Sequence, residues 1–315
     1  MEKIRLGISS CLLGEPVRFD GGHKLDRYLV ETLGRYVDWV PVCPEVEIGL
    51  PTPRDSLRLV DGAEGTRLVF AKTGEDMTDS MQDWAKKRVV QLEKEQLCGF
   101  VFKSKSPSSG MERVKLYDRN GIPKKTGVGL FAATFMEHFP LLPVEEDGRL
   151  HDPRLRENFI EAIFALQRWR QASGRHATAA GVVEFHSRHK LLLLAHSPEV
   201  YRQLGQLVAR AGTLKIESLI GDYQALLLMG LRLKTSPSKH LNVLQHMLGY
   251  FKKTLSADEK QEALDLFGRY RRGELPLIVP LTLVSHFVRK YRQPYLEQQY
   301  YLNPHPLELQ LRNHV

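Results

Sequence analysis

Cysteine is scarce in this chain. Cys11, Cys43 and Cys98 are the only three among 315 residues, an odd and scattered set that makes a poor disulfide framework. No Cys-x-x-Cys or His-x-x-x-His pair occurs to support a zinc site. No Gly-x-x-x-x-Gly-Lys-Ser/Thr occurs either, which excludes a P-loop. A run of about 18 apolar residues, the length that spans a membrane, is also missing. The opening residues Met1-Glu2-Lys3-Ile4-Arg5 lead into strand-like sequence without an apolar signal core. A cytoplasmic protein without a membrane partner is therefore expected. Low-complexity tracts and fixed-period repeats are absent. On composition alone, three scattered thiols read as three unrelated buried residues; their neighbours decide otherwise for two of them.

What is present is a globular composition, 42% hydrophobic and 26% charged, with length for two ordinary domains. The net charge of +8 is unevenly placed: residues 1–140 hold 21 Lys+Arg against 20 Asp+Glu, and residues 141–315 hold 24 against 17. The excess in the second half points to an anionic partner, nucleic acid first, with a basic but idle surface as the alternative.

Short apolar segments alternate with helical spacing in the first 150 residues. Residues 3–9, 39–42, 68–70 and 99–103 read as strands. Residues 25–36, 79–97 (capped by Asp79) and 127–139 read as helices. This alternation predicts an α/β domain over residues 1–150, a small parallel sheet with helices on its faces. Ligands in such sheets lie outside the carboxyl ends of the strands. Three loops occupy that position: 9–14, 43–54 and 104–110. After Pro140, Pro143 and the Glu145-Glu146-Asp147-Gly148 turn the character changes. Helical patterns over 154–171, 179–196, 198–210, 216–231, 238–253, 257–271 and 280–292 predict an all-α bundle for residues 151–315.

Three segments stand together. They are Ile8-Ser9-Ser10-Cys11-Leu12-Leu13-Gly14 with Val17-Arg18-Phe19-Asp20-Gly21; Val42-Cys43-Pro44-Glu45 with Leu50-Pro51-Thr52-Pro53-Arg54; and Lys103-Ser104-Lys105-Ser106-Pro107-Ser108-Ser109-Gly110. With Thr126-Gly127-Val128-Gly129, they make residues 1–148 resemble the thiouracil desulfidase family. Residues 152–315, including Phe185-His186-Ser187-Arg188-His189-Lys190 and the stretch 240–253, resemble the helical domain fused to that module in bacterial tRNA 4-thiouridine desulfidases.

The resemblance implies a [4Fe–4S] cluster held by three cysteines with one iron open. Thiolates suit such clusters, and a fourth would close the last iron. An open iron acts as a Lewis acid on the exocyclic sulfur of a thiobase, so water replaces sulfur without net redox change. Cys11 and Cys43 match the first two ligands. Glu45 matches the catalytic carboxylate, as base for the water or proton carrier to the leaving sulfur, and Ser106 matches the essential serine. Lys105 and Ser108 of the same loop are candidate substrate contacts. Arg18, Asp20 and Arg54 are either substrate contacts or members of structural ion pairs.

The family's third ligand falls where this chain has Ser109. Cys98 precedes the strand at 99–103, and five residues at roughly 3.3 Å each set it about 16 Å from the loop. The third ligand is therefore Cys98 (if that segment is not a simple strand), Ser109 or a non-protein group, or Ser109 weakens the cluster. Cys98 otherwise reads as a core thiol.

In the helical half, His186, His189 and His196 share one face, as metal ligands or as core or solvated histidines. Arg188, Lys190, Lys234, Lys239, Lys252 and Lys253 are the candidate RNA contacts. Tyr250, Tyr270, Tyr291, Tyr295, Tyr300 and Tyr301 are interleaved with basic residues and available for stacking. The leading expectation is desulfuration of 4-thiouridine in tRNA, the partner being tRNA that carries a thiolated uridine. The alternatives are a desulfidase of free thiouracil-type bases and a non-catalytic protein that binds thiolated tRNA.

Overall fold

The computed structural model describes residues 3–63, 65–306, 309 and 311–313. The chain forms two compact units, Met1–Asp152 and Pro153–Val315.

In the first unit, β1 (Ile4–Ser9), β2 (Val37–Val42), β5 (Phe100–Phe102) and β8 (Val144–Glu146) form a parallel sheet in the order β2-β1-β5-β8. From β1 the chain goes to β2 on one side and later to β5 on the other. The carboxyl ends of β1 and β5 thus flank the point where the strand order reverses, the usual ligand crevice of an open α/β sheet. After β2 comes α1 (Pro44–Glu47), one short turn with Pro44 at its first position.

A second, mixed sheet was not anticipated. It contains β3 (Leu57–Gly62), β4 (Gly65–Phe70), β6 (Val114–Tyr117) and β7 (Pro123–Gly127) in the order β4-β3-β6-β7. The segment expected as a third strand, 68–70, belongs to this sheet, as the partner of β3 in an antiparallel hairpin.

Helix α2 (Thr78–Glu93) serves both sheets. Met81 packs into the cluster of Leu59, Leu68 and Val114, while Val89 and Leu92 join Phe100 and Phe102. Asp79 is a first-turn residue here and not the cap; Asp76 Oδ1 accepts the Thr78 N–H at 2.8 Å instead. Helix α3 (Leu130–His138) buries Phe131 and Phe135 against Phe100 and Phe102, the ring centroids 4.8 to 6.2 Å apart. Tilted and edge-on rings of this kind fill the floor under the carboxyl end of β5. The helix expected over 25–36 is instead a π turn, Tyr28–Thr32, followed by a 3-10 turn, Leu33–Arg35.

The second unit is helical: α4 (Pro153–Ala172), α5 (Ala179–His196), α6 (Pro198–Ala209), α7 (Ile216–Leu231), α8 (Pro237–Leu248), α9 (Ala257–Arg271), α10 (Ile278–Lys290) and α11 (Pro294–Glu297). Ser-Pro pairs start α6 and α8: Ser197 and Ser236 accept backbone N–H groups while proline takes the first helical position. Ser256 and Glu259 close a capping box on α9. A buried charge cluster lies inside. Arg312 donates to Glu157 at 3.0 Å, to Glu161 at 2.5 Å and to the Tyr301 carbonyl at 2.6 Å. Glu161 also meets His196 at 3.2 Å. No helix among the described residues is long and apolar enough to cross a membrane.

Candidate active site

Cys11 lies in a 3-10 turn, Ser10–Leu13, directly after β1. Gly14 (φ +93°) closes the turn in a left-handed conformation that a side chain disfavours, donating its N–H back to the Cys11 carbonyl. Cys43 follows β2. Because Ser9 and Val42 are paired in register, the two cysteines leave neighbouring strands at the same end. Ser9 Oγ accepts the Lys103 N–H at 2.9 Å, which fastens the end of β5 to the end of β1. Around these ends lies a cavity of about 550 Å³, walled by Cys11, Cys43, Glu45, Ser106 and Ser109, with Arg18, Arg54, Lys103 and Lys105 also on its surface.

Glu45 is half-buried and doubly held. Ser108 Oγ donates to Glu45 Oε1 at 2.5 Å, and the Cys43 thiol lies 3.7 Å from Oε2. Ser106 and Ser108 hydroxyls are 3.0 Å apart, and the Ser109 N–H donates to Ser106 Oγ at 3.2 Å. The three serines thus form a short hydrogen-bonded string that ends on the carboxylate. The loop is fixed from behind by α3, whose Phe131 and Ala132 N–H groups donate to the Ser108 carbonyl at 2.9 and 3.2 Å. Burial pushes the Cys11 thiol up to about 11 and the Cys43 thiol up to about 12, the Glu45 carboxylate adding to the effect at both. Both are therefore protonated thiols until a cation takes the place of the proton.

The structure places the remaining expected site residues differently, in several cases according to the structural alternative. Cys98 is fully buried and does not line the cavity; its N–H donates to the Arg5 carbonyl, near the far end of β1 from Cys11. Ser108, expected as a substrate contact, is fully buried, bonded to Glu45 and outside the cavity wall. Asp20 lies outside the cavity wall, accepting the Gly22 N–H at 3.1 Å and pairing with Arg18 at 3.4 Å. Arg54 reaches the cavity, but its guanidinium donates to the carbonyls of Pro51 and Val17 and to Thr52 Oγ1, which ties two loops together.

One residue had no assigned role in the sequence. Lys103 lines the cavity with its ammonium 2.6 Å from Asp147 and 2.9 Å from Ser104 Oγ. Burial alone would raise the Asp147 carboxyl, but the bonds from Lys103 and the Ser104 N–H outweigh it and hold it below its ordinary value. The lysine stands in the quoted 103–110 segment. Its partner is 44 residues away, in a turn that read only as a boundary.

In the helical unit, His186, His189 and His196 are buried core residues. His186 meets the Tyr223 hydroxyl at 3.1 Å. His189 Nδ1 donates to the Phe185 carbonyl while its Nε2 accepts from Arg168. Among the described residues, no three His, Cys, Asp or Glu side chains converge as a metal site. Lys239 is committed, donating to the carbonyls of His196 and Lys234 at 2.7 Å each. Arg188 stacks over Tyr300 and pairs with Glu184. Lys190 is half-buried, while Lys234, Lys252 and Lys253 are exposed. Tyr270 and Tyr301 are buried and so unavailable to a base.

A strand-end crevice with two thiols and a carboxylate defines an α/β enzyme domain, and sequence comparison names the class. The profile of the 2-thiouracil desulfurase family matches residues 6–147, and that of a protein family of unknown function, DUF1722, matches residues 190–306. The chain is 32% identical over 161 residues to the uncharacterized protein YbgA of Escherichia coli (strain K12), covering 51% of this chain and 95% of that protein. It is 30% identical over 135 residues to the uncharacterized protein YbbK of Bacillus subtilis (strain 168), covering 40% of this chain and 85% of that one. A solved structure of a [4Fe–4S]-dependent thiouracil desulfidase, TudS, is 29% identical over 48% of this chain and 95% of its own, with a TM-score of 0.38. The chain belongs to the 2-thiouracil desulfurase family, carrying that module in its first unit and a DUF1722 region in its second.

Proposed function

We propose that this protein removes sulfur from a thiolated uracil base, replacing it with oxygen from water, at an iron–sulfur cluster held by Cys11 and Cys43. The observation that carries this reading is the convergence of both thiols and Glu45 on one cavity at the strand ends. The donor set fits a thiolate-bound cluster at two positions, and Ser109 offers a hydroxyl at the third. When bound, a cluster with one iron free of protein ligands supplies a soft Lewis acid for the exocyclic sulfur.

The chain's own residues supply the rest. Ser108 holds Oε1 of Glu45, leaving the carboxylate to carry the two protons of the attacking water in turn to the departing sulfur, which leaves as hydrogen sulfide. The ring carbon exchanges its bond to sulfur for one to oxygen, and no electron is gained or lost. Ser106 lies at the open end of the serine string, in position to donate to the base or the water. Lys103, held by Asp147, places positive charge in the wall of the cavity.

A second reading, action on 4-thiouridine within tRNA, is favoured by the excess of 24 Lys+Arg over 17 Asp+Glu in residues 141–315. An anaerobic assay that follows loss of thiocarbonyl absorbance from free thiouracil and from thiolated tRNA tests both. The function is wrong if Cys11→Ala and Cys43→Ala proteins both keep wild-type turnover.

A further inference from the structure

Beside the catalytic cavity lies a second groove of about 1040 Å³, and Leu57, Ser104, Lys105 and Pro107 belong to the walls of both. Six cations line it; Arg149 is paired with Glu112 and Glu145, and the other five are Arg58, Lys105, Arg113, Lys115 and Lys125. None of these five pairs with a carboxylate among the described residues. The two carboxylates present are already engaged. Glu112 pairs with Arg149 at 2.6 Å, and Glu146 accepts the N–H groups of Met111 and Glu112 at 2.7 and 3.3 Å.

The cations are in register. Lys115 and Lys125 are direct cross-strand partners in β6 and β7, and the Leu59–Leu116 pairing sets Arg58 beside Lys115. Like charges directly opposite each other weaken a sheet, so this row costs stability unless an anion lies across it. Arg58 is stacked over Tyr117 at 5.5 Å, and its Nε is buried with no hydrogen-bond partner.

Resting on the desulfidase reading for its reaction but not for its binding, we infer that this groove is an RNA site. It holds the phosphodiester backbone beside the nucleotide whose thiolated base enters the cavity. A row across three strands at about 4.8 Å spacing is roughly 10 Å long. Successive phosphates of a single strand lie about 6 Å apart through space, so the row faces about two of them, more than a lone phosphate fills. Lys105, on the rim shared by both spaces, is placed to meet the phosphate nearest the base.

The test compares the full-length wild type with a Lys115→Glu/Lys125→Glu double variant, both positions being exposed, and with Lys87→Glu on α2 as a control outside the groove. Anisotropy of a labelled RNA of about 12 nucleotides carrying one 4-thiouridine is read across a salt series. For the double variant, affinity at low salt falls at least about tenfold. The slope of log K against log salt flattens by about 1.4, which is 0.7 for each phosphate that the protein no longer neutralises. KM for the same RNA rises by a like factor, while kcat/KM for free thiouracil stays within about twofold. An unchanged slope and affinity overturns the inference. So does an equal loss on free base and RNA, or competition by polyglutamate as effective as by unlabelled RNA of equal charge. If nothing is desulfurated but the RNA slope still flattens, the groove stands and the reaction reading falls.

Discussion

Gly129→Ala is the sharpest test of how the site is built. Gly129 precedes α3 and lies against the Ser108–Ser109 peptide. A Cβ at this position would sit 2.5 Å from the Ser108 carbonyl carbon, 2.6 Å from its oxygen and 2.7 Å from the Ser109 nitrogen. These are backbone atoms, so no rotamer change relieves the clash. Reaching an ordinary contact of roughly 3.5 Å displaces the loop by about 1 Å. The displacement falls on the Ser108 hydroxyl that holds Glu45 at 2.5 Å and on the Ser109 position in the cavity wall.

Overpacking of this kind costs about 1–3 kcal/mol of stability, small enough for the unit to stay folded. A misplacement of about 1 Å in a catalytic array costs on the order of 10²-fold in rate. The expected outcome is a folded protein with a lowered melting midpoint and kcat on thiouracil down about a hundredfold, measured anaerobically after reconstitution with iron and sulfide. A Gly129→Ala protein with turnover within twofold of wild type would refute the reasoning that the serine loop positions Glu45.

Other outcomes are open to direct measurement. Ser109→Cys places a third thiol in the cavity wall and should raise bound iron and visible absorbance after reconstitution, whereas Cys98→Ala should leave both unchanged. Glu45→Gln should lower kcat by about 10²–10⁴-fold, the range for loss of a general base, with Ser108→Ala showing a smaller loss and retained iron. Arg312→Ala leaves Glu157 and Glu161 buried without their shared cation, and should destabilise the helical unit by roughly 3–5 kcal/mol in thermal melts. Burial, with Glu161 close by, pushes the Glu157 carboxyl above its ordinary value. The folded state therefore holds a proton that the unfolded chain has released, and this contribution to stability is lost as pH rises above the ordinary carboxylate range through the raised value. Glu157→Gln should remove that part of the pH dependence of the melting midpoint.

The parts of the site near strand ends were legible because period-2 apolar runs show where strands stop. Cys11, Cys43 and Glu45 each lie within three residues of such a stop. The second sheet was not legible for a physical reason. β7 reads Pro-Lys-Lys-Thr-Gly with only Gly127 buried, so it has no apolar alternation. It is a strand because it pairs with β6, a contact set by the tertiary fold and invisible to a local window. Asp147 was missed likewise, since its meaning depends on Lys103, which directly follows another strand of the first sheet.

Ser106, Ser108 and Ser109 show the limit most clearly. A stretch of four residues, 106–109, carries three similar hydroxyls, and composition assigns them no order. The packing of α3 and Gly129 turns Ser108 inward onto Glu45 and leaves Ser106 and Ser109 on the cavity wall. On the proposed cluster reading, position 109 sets donor softness, next to the residue that holds the Glu45 carboxylate. A sulfur at 109 changes that softness while the backbone bonds from Phe131 and Ala132 preserve the hold on Glu45. On that reading, single substitutions within one loop should separate cluster affinity, read as bound iron, from proton handling, read as kcat.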